Sequence, residues 1–302
     1  MPELPEVHTT ATMLDTLVQG AHITHVWTDY TKSNQVGTQT IKNPAYFKKF
    51  QKAVVGTTIE RVFRQGKYII FSLNNNLSII AHMRMTGHFL VGTYQQKSGI
   101  WKSNEAGPLQ EPINQHIHFV LSLSDGRHMV LSDVRKFASI TLTHSLTFLA
   151  HKSLSTLGPD PTQPSFSFTT FKERLTAKNK SGIKTALLDQ KVFAGIGNIY
   201  SDEILWTAGV HPLSKIENIP LPVMRLLFVA TKKLLSHGVT LGGDSTSDYR
   251  NPLGKAGDFH NHHHAYQKTK TNCQKRNCRG TIQRIPFSGR GAHFCDTHQK
   301  LY

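Results

Sequence analysis

The last thirty residues of this 302-residue chain contain all three of its cysteines, and their spacing limits how this end can fold. The pattern is Cys273-x4-Cys278-x16-Cys295-x2-His298, and the spacing within both pairs is typical of zinc-binding ribbons. Thiolates with one imidazole suit tetrahedral Zn²⁺, and an odd number of cysteines argues against a disulfide framework. The pattern predicts one Zn²⁺ with a structural role, since four protein ligands leave no position open for water.

The residues between the two pairs predict a short two-stranded ribbon. Residues 282–285 and 292–294 have strand character, with Gly289-Arg290-Gly291 as the turn. A turn held by a metal site would keep the planar guanidinium of Arg290 rigid, which suits contact with a phosphate. The fourth metal ligand is His298 or one of the nearby histidines, which are His260, His262, His263, His264 and His293.

The charge of the chain indicates a polyanionic partner. Lysine and arginine number 35 against 19 aspartates and glutamates, a formal net charge of +16. A membrane surface is the competing target, but the sequence offers no basic amphipathic helix to lie on it. It has no run of about 20 apolar residues and no secretory signal pattern, so we expect a cytoplasmic protein without membrane attachment.

The first six residues, Met1-Pro2-Glu3-Leu4-Pro5-Glu6, combine a secondary amine with two carboxylates. A small second residue allows removal of Met1, which would leave Pro2 with a free amine of reference pKa about 8. Such an amine can attack an aldehyde-like sugar carbon and form an iminium. Glu3 and Glu6 lie within one helical turn of it. The alternative interpretation is a proline-containing start of a helix.

Hydrophobic periodicity divides the chain at a cluster of helix and strand breakers, residues 157–161. Before it, the pattern predicts a helix over 4–19 and then antiparallel strands, with a hairpin turn at Asp125-Gly126. After it, the pattern is helical as far as Gly242-Gly243. Strands are predicted at 58–62, 68–71, 77–83, 117–123 and 128–131, helices at 168–177, 183–190, 198–208 and 220–237, and a polar loop at 244–264.

The segment Ala194-Gly195-Ile196-Gly197-Asn198 precedes one of these helices. Its glycines permit a tight loop, and Asn198 is expected to cap the helix. Backbone N–H groups at such a helix start bind anions. On its own, a Gly-x-Gly turn before a helix often serves packing alone.

These segments together resemble the formamidopyrimidine-DNA glycosylase (Fpg) family over essentially the whole chain. The opening hexapeptide, residues 187–203 and the cysteine pattern carry the resemblance, although the family's finger normally has four cysteines in two C-x2-C pairs. The resemblance implies an α+β multidomain fold. Its regions would be an N-terminal β-sandwich with flanking helices at 1–156, a helix-two-turn-helix region with a base-covering loop at 157–264, and a zinc β-ribbon at 265–302.

The resemblance also implies roles for individual residues. Arg64-Gln65-Gly66-Lys67-Tyr68 resembles a family hairpin whose lysine reaches the phosphate beside the lesion, so Lys67 joins Pro2, Glu3 and Glu6 as a catalytic candidate. Segments 82–87 and 133–137 resemble the loops that fill the gap left by a flipped base. By resemblance, the DNA-binding candidates are Met85, Arg135, Phe137, Asn198 and Arg290. Without it, Met85 and Phe137 would be taken as core residues.

The activity implied is excision of oxidised purines, 8-oxoguanine and formamidopyrimidines, from duplex DNA, followed by strand cleavage through β,δ-elimination. The enzyme would be a monomeric, bacterial-type, nucleoid-associated glycosylase and lyase. Ser247, where many members have arginine, leaves the grip on the base open. The alternatives are an endonuclease VIII-like glycosylase for oxidised pyrimidines and a zinc-ribbon nucleic-acid-binding protein without catalysis. Leu4 disfavours the first, and Pro2, Glu3 and Lys67 together disfavour the second.

Overall fold

The computed structural model describes residues 1–30 and 40–302. They form two compact units, one of Met1–Ser155 with Leu241–Asp258 and the other of Thr156–Thr240 with Phe259–Tyr302. The division into regions 1–156, 157–264 and 265–302 stays a prediction. The compact units differ from it, because residues 241–258 pack with the first unit and the ribbon packs with the helices.

The first unit is built on two four-stranded antiparallel sheets. One sheet has the strand order β1-β8-β9-β5 and the other β10-β4-β3-β2, while β6 and β7 form a separate hairpin. The strands are β1 (Ile23–Thr28), β2 (Ile59–Gln65), β3 (Tyr68–Leu73), β4 (Leu77–His82), β5 (His88–Gly92), β6 (Tyr94–Lys97), β7 (Ile100–Ser103), β8 (Ile117–Leu123), β9 (His128–Ser132) and β10 (Ser139–His144).

A single hydrophobic core lies between the two sheets, which makes the unit a β-sandwich. Alternate residues of β8, such as Phe119 and Leu121, point into this core. The rings of Phe71 on β3 and Phe89 on β5 meet across the sheets at a centroid distance of 5.7 Å. The unit therefore has the β-sandwich that the sequence resemblance implied.

Two helices flank the sandwich. Helix α1 (Leu4–Val18) buries an apolar stripe that includes Val7, Leu14 and Val18 in the same core. Helix α2 (Pro44–Val54) is short and basic on its exposed side, and the Asn43 side chain accepts hydrogen bonds from the first N–H groups of the helix.

The second unit is helical and ends in a hairpin. Its elements are α3 (Phe168–Thr176), α4 (Ile183–Leu188), α5 (Asn198–Ala208), α6 (Leu221–Thr240), β11 (Ile282–Phe287) and β12 (Arg290–Cys295). Phe171 and Phe193 stack at 5.0 Å, and Phe166 and Phe228 pack around them. Aromatic packing thus holds α3 and α6 together around the segment that leads into α5.

The structure bears out most of the predicted elements and extends or adds others. The predicted strand 77–83 ends at His82, and the loop 244–264 contains a 3₁₀ turn at Phe259–His262. Helix α2 and the strands β1, β5, β6, β7 and β10 were not predicted from the sequence. Asn43 followed by Pro44 was the available signal for α2, since asparagine is a favoured N-cap and proline a favoured first helical residue.

No helix in the described parts of the chain has both the length and the apolar character needed to cross a bilayer.

Candidate active site and nucleic-acid interface

The two residues that lead into α1 are buried. Pro2 is buried, and only 2 % of Glu3 and 1 % of Glu6 are exposed. Glu3 occupies the N-cap position, and its N–H donates to Glu6 Oε2 at 2.7 Å. This bond is one half of a capping box between Glu3 and Glu6, which lie one and four residues after Pro2 in the chain. The local sequence is sufficient for this arrangement, since Pro5 also suits the first helical turn.

Glu6 also holds the start of the 241–258 segment. Its Oε1 accepts a hydrogen bond from the Asp244 N–H at 2.7 Å, and its carbonyl accepts one from the Tyr249 hydroxyl at 3.2 Å. Gly243 has φ +88°, and a Cβ there would lie 2.8 Å from Glu6 Cγ, so glycine is required. The sequence predicted that Glu6 supports the N-terminus but missed its contact with this segment, which is 238 residues away.

The 241–258 segment, which contains Ser247, is folded by its own polar groups. The Ser245 hydroxyl donates to the Tyr249 carbonyl at 2.8 Å and accepts from the Gly257 N–H at 2.9 Å. The Ser247 carbonyl accepts a hydrogen bond from the Arg250 guanidinium at 3.3 Å. The segment is thereby a closed loop, and one end is fixed on α1 by Glu6.

Lys67 lies at the turn between β2 and β3 and is only 6 % exposed. The same turn is closed by the Arg64 guanidinium, which donates to the Gly66 carbonyl at 3.1 Å. Burial, together with the nearby charges of Arg84 and Lys67, lowers the pKa of His82 to about 3. Lys67 therefore lies within electrostatic reach of the turn that carries Met85.

The three predicted gap-filling residues lie outside the core. Met85 and Phe137 are half-buried and Arg135 is exposed. The Arg135 guanidinium lies over the Phe137 ring at 4.5 Å from its centroid. The interpretation of Met85 and Phe137 as core residues is therefore wrong, and all three side chains are accessible to a partner.

The loop before α5 is held by Gln190. Its side chain donates to the carbonyls of Leu188 and Ile196 and accepts from the Gly195 N–H.

The N-cap of α5 is Gly197, and Asn198 is the first helical residue. The expectation that Asn198 caps this helix is wrong, because its side-chain amide instead donates to the Gly291 carbonyl in the ribbon at 3.2 Å.

The ribbon turn is shorter than predicted and begins one residue earlier. β11 and β12 pair from Ile282 opposite Cys295 to Phe287 opposite Arg290, which leaves Ser288 and Gly289 as the turn. Arg290 is therefore the first residue of β12, and it is exposed. Since Asn198 bonds to the neighbouring Gly291, the structure brings the two predicted phosphate-binding residues of this unit together.

The predicted metal ligands also lie together. One ligand atom from each of Cys273, Cys278, Cys295 and His298 lies within 4.8 Å of all the others. Cys278 Sγ and Cys295 Sγ are 3.6 Å apart, close to the separation of about 3.8 Å that Zn–S bonds of about 2.3 Å give in a tetrahedron. His298 Nδ1 lies 3.3 Å from Cys273 Sγ.

The surroundings of these four side chains fit a bound cation. Each cysteine sulfur accepts a backbone N–H at 3.4 Å, from Lys275, Gly280 and Thr297 in turn. The His298 Nε2–H donates to the Trp206 carbonyl at 2.9 Å, which leaves Nδ1 free to bind a metal. Burial raises the pKa of Cys295 to about 11, so a stable thiolate there needs a positive charge beside it.

A buried ionic network, which was not predicted from the sequence, connects α4, α5 and the ribbon. Lys184 pairs with Asp202, and both side chains are fully buried. The other carboxylate oxygen of Asp202 accepts from the His293 N–H at 3.1 Å and from His293 Nδ1 at 2.9 Å. The ribbon is therefore fixed on α5 at Asn198 and at Asp202, one turn apart on the same helix.

The β-sandwich, the helix pair α4–α5 and the Cys₃His ribbon together define a multidomain α+β protein with a candidate metal site. The family described as Formamidopyrimidine-DNA glycosylase N-terminal domain matches residues 1–140, and the Formamidopyrimidine-DNA glycosylase H2TH domain matches residues 157–250. The chain belongs to the formamidopyrimidine-DNA glycosylase family.

Individual relatives match over the full length. A formamidopyrimidine-DNA glycosylase of Bacillus subtilis is 35 % identical over 298 residues, with 98 % of each chain covered. One of Streptococcus thermophilus is 35 % identical over 300 residues, covering 99 % of this chain and 100 % of the other. Among solved structures, a complex between Lactococcus lactis Fpg and DNA containing an abasic site is similar with a TM-score of 0.82 and 30 % identity, covering 99 % of each chain.

Another similar structure is MutM in complex with DNA containing carbocyclic 8-oxo-G, with a TM-score of 0.81 and 31 % identity. It covers 99 % of this chain and 100 % of that one.

Proposed function

We propose that this protein is a base-excision repair enzyme that removes oxidised purines from duplex DNA and then cuts the strand at the resulting site. The observation that carries the proposal is the buried Pro2-Glu3…Glu6 start in a chain of the formamidopyrimidine-DNA glycosylase family. The solved relatives bound to abasic-site and 8-oxo-G DNA support this class of substrate.

Base release starts at the amine of Pro2 once Met1 has been removed. The nitrogen lone pair attacks C1′ of the damaged nucleotide, the bond from C1′ to the base breaks, and the base leaves with the bonding electrons and takes up a proton. Glu3 is the general acid and base, protonating the ribose ring oxygen as the ring opens to an iminium. Glu6 holds the Glu3 backbone and so fixes the direction of this group.

Strand cleavage follows from the electron-withdrawing iminium. It acidifies the C2′ proton, and loss of this proton expels the 3′-phosphate by β-elimination. A second proton loss expels the 5′-phosphate by δ-elimination, and water then hydrolyses the iminium bond, which releases the sugar fragment as an aldehyde and returns the Pro2 amine. Glu3, the carboxylate nearest to Pro2 in the sequence, accepts these protons.

The remaining predicted residues hold the DNA. The phosphates are contacted by Lys67, Asn198 and Arg290. Arg290 is exposed and follows the ribbon turn next to Gly291, which binds Asn198, and this supports a joint contact.

The gap that the extruded nucleotide leaves is filled by Met85, Arg135 and Phe137. Because the Arg135 guanidinium lies over the Phe137 ring, these two flat groups would enter the duplex together.

The metal site is proposed to hold one structural Zn²⁺, since three thiolates and one imidazole leave no position for substrate. Zinc would stabilise the ribbon and thereby fix the position of Arg290.

We also propose that the protein acts as a monomer, because a formal charge of +16 disfavours self-association.

Borohydride trapping tests the proposal directly. The wild-type protein should form a covalent adduct with a duplex carrying one 8-oxoguanine, and Pro2→Gly should lose most base release and trapping. Pro5→Ala, which changes the other proline of the same hexapeptide, should keep both activities. Full trapping by a variant with a blocked N-terminus would refute the Pro2 nucleophile. Release from an oxidised-pyrimidine duplex in preference to 8-oxoguanine would refute the proposed substrate class.

A further inference from the structure

A polar network outside the Pro2 region centres on Asp133, whose side chain is fully buried. Its Oδ1 accepts from the Thr86 hydroxyl at 2.5 Å. Its Oδ2 accepts from the Tyr30 hydroxyl at 2.9 Å and from the Ala138 N–H at 2.8 Å. Three donors offset the desolvation of this carboxylate, so its position is well defined.

Thr86 extends the network from one turn to the other. It follows Met85 in the turn between β4 and β5, and its hydroxyl donates to Asp133. The same oxygen accepts from the Arg135 N–H at 3.0 Å, in the turn between β9 and β10. One side chain therefore binds the backbone and the buried carboxylate of the opposite turn.

Backbone packing brings the same two turns close together. A Cβ on Gly87 would lie 3.3 Å from Ala138 Cβ in the other turn and 2.6 Å from the Met83 carbonyl oxygen in its own turn, so a larger residue would crowd both. Each turn also contains a non-glycine residue with positive φ, Arg84 at +57° and Lys136 at +55°. These conformations are unfavourable on their own, so the surrounding contacts must hold them.

The second turn is also fixed from its outer side. Lys42 Nζ donates to the Lys136 carbonyl at 2.7 Å, and Lys136 Nζ pairs with Asp29 at 3.1 Å. The turn that carries Arg135 and Phe137 is therefore held at Lys136 and at Asp133. Thr86 gives the turn that carries Met85 a polar contact with that arrangement.

We propose that Thr86 and Asp133 are positioning residues that couple the two turns, so that Met85, Arg135 and Phe137 enter the DNA duplex as one unit. The inference rests on the proposed function. Extruding a paired base leaves a gap that must be filled as it forms. Side chains held in one fixed arrangement lose less entropy on insertion than three that are ordered separately.

Thr86→Val tests the coupling, because valine has nearly the same shape but neither donates nor accepts. We expect single-turnover base release from a fully paired 8-oxoguanine duplex to slow by roughly tenfold. Release from a duplex with the lesion opposite a gap should stay within about twofold, since little filling is needed there. Thr86→Ser, which keeps the hydroxyl, should restore most of the rate.

Tyr30→Phe is the matched control, because it removes a hydrogen bond to the same carboxylate without touching the link between the turns. Its loss of rate on the paired duplex should be clearly smaller than that of Thr86→Val, because the Tyr30 hydroxyl makes no bond between the two turns. An equal loss in Tyr30→Phe and Thr86→Val would overturn the proposal, as would an equal loss by Thr86→Val on paired and gapped duplexes.

A double-mutant cycle separates coupling from a loss of stability. In the wild-type background, Met85→Ala combined with Phe137→Ala should slow release by clearly less than the product of the two single effects. In the Thr86→Val background the effects should multiply. A cycle that Thr86→Val leaves unchanged would overturn the coupling. Absence of base release and trapping in the wild-type protein would instead overturn the proposed function.

Discussion

At the scale of single residues, buried carboxylates define the positions of loops in this protein. Glu6 accepts the N–H groups of Glu3 and Asp244, while Glu203 accepts those of His264, Ala265 and Tyr266. Burial acts to raise the pKa of Glu203, but the hydrogen bonds outweigh it and the pKa is lowered. Several N–H donors thus compensate a charge that would be costly to bury alone.

His82 gives a prediction about pH at the same scale. Burial lowers its pKa from 6.5 to about 3, with Arg84 and Lys67 contributing, so the folded protein holds it neutral. Below pH 6.5 the unfolded chain takes up a proton here and the folded protein does not. The free energy of unfolding should therefore fall with decreasing pH, by up to about 1.4 kcal/mol per unit from this group.

His82→Asn isolates this effect, because its amide oxygen can accept the Arg84 N–H that Nδ1 now accepts at 2.9 Å. Urea unfolding at pH 7 and pH 5 should show a loss larger in the wild-type protein than in the variant by about 2 kcal/mol. The two proteins should behave alike above pH 7. The same pH dependence in both proteins would show that His82 titrates normally in the folded state.

At the scale of elements, α5 is the helix on which the ribbon and its metal site are assembled. Asn198 and Asp202 bind the ribbon backbone, Glu203 binds the 264–266 segment, and the carbonyl of Trp206 accepts from His298. Cys273, Cys295 and Ile282 pack against the Trp206 side chain in one small hydrophobic cluster. The helix therefore contributes to the ribbon's position independently of the metal.

Asp202→Asn tests this contribution. It removes a buried charge partner of Lys184, and we expect a loss of about 3–5 kcal/mol in the free energy of urea unfolding. Asp125→Asn, which changes the exposed pair with Arg127, should cost no more than about 1 kcal/mol. Lys184→Met added to Asp202→Asn should recover part of the loss. Equal costs for the two aspartate variants would contradict a structural role for the buried pair.

The metal site gives a second prediction for the ribbon. His298→Ala should lower zinc content well below one equivalent and weaken DNA binding, because the ribbon's folding free energy is largely metal-binding free energy. His262→Ala, at an exposed position outside the cluster, should keep its zinc. Elemental analysis of protein purified without chelator measures both. A full equivalent in His298→Ala would assign the fourth ligand to another histidine.

At the scale of the whole molecule, the formal charge of +16 should determine how the affinity of the protein for DNA depends on salt. Affinity for undamaged duplex should fall steeply with salt, because each neutralised phosphate releases counterions. Arg290→Ala should lower affinity for damaged and undamaged duplexes alike and flatten the log–log salt slope by about one unit.

Lys97→Ala removes the same charge from the exposed β6–β7 hairpin and serves as the control. It should leave the salt slope unchanged within error in a fluorescence anisotropy titration. An Arg290→Ala slope equal to that of Lys97→Ala would exclude a direct phosphate contact by Arg290.

The sequence by itself determined the features that depend on short spacings. The Cys₃His pattern, the helix start at Glu3 and Glu6, and the β8–β9 and β11–β12 hairpins all involve residues near one another in the chain. Metal geometry, capping and turn formation act over these distances, so periodicity and spacing were sufficient. The resemblance to one family then supplied the order of the motifs and the candidate site.

The tertiary structure alone decided which distant groups meet. Glu6 binds Asp244 across 238 residues, Tyr30 binds Asp133 across 103, and Asp202 binds His293 across 91. These pairs depend on which sheet, helix and loop pack together, and a local sequence pattern does not predict this packing. Asn198 shows the limit, since local rules assign its side chain to a helix cap. In the structure it donates to the Gly291 carbonyl, which the packed ribbon places beside it.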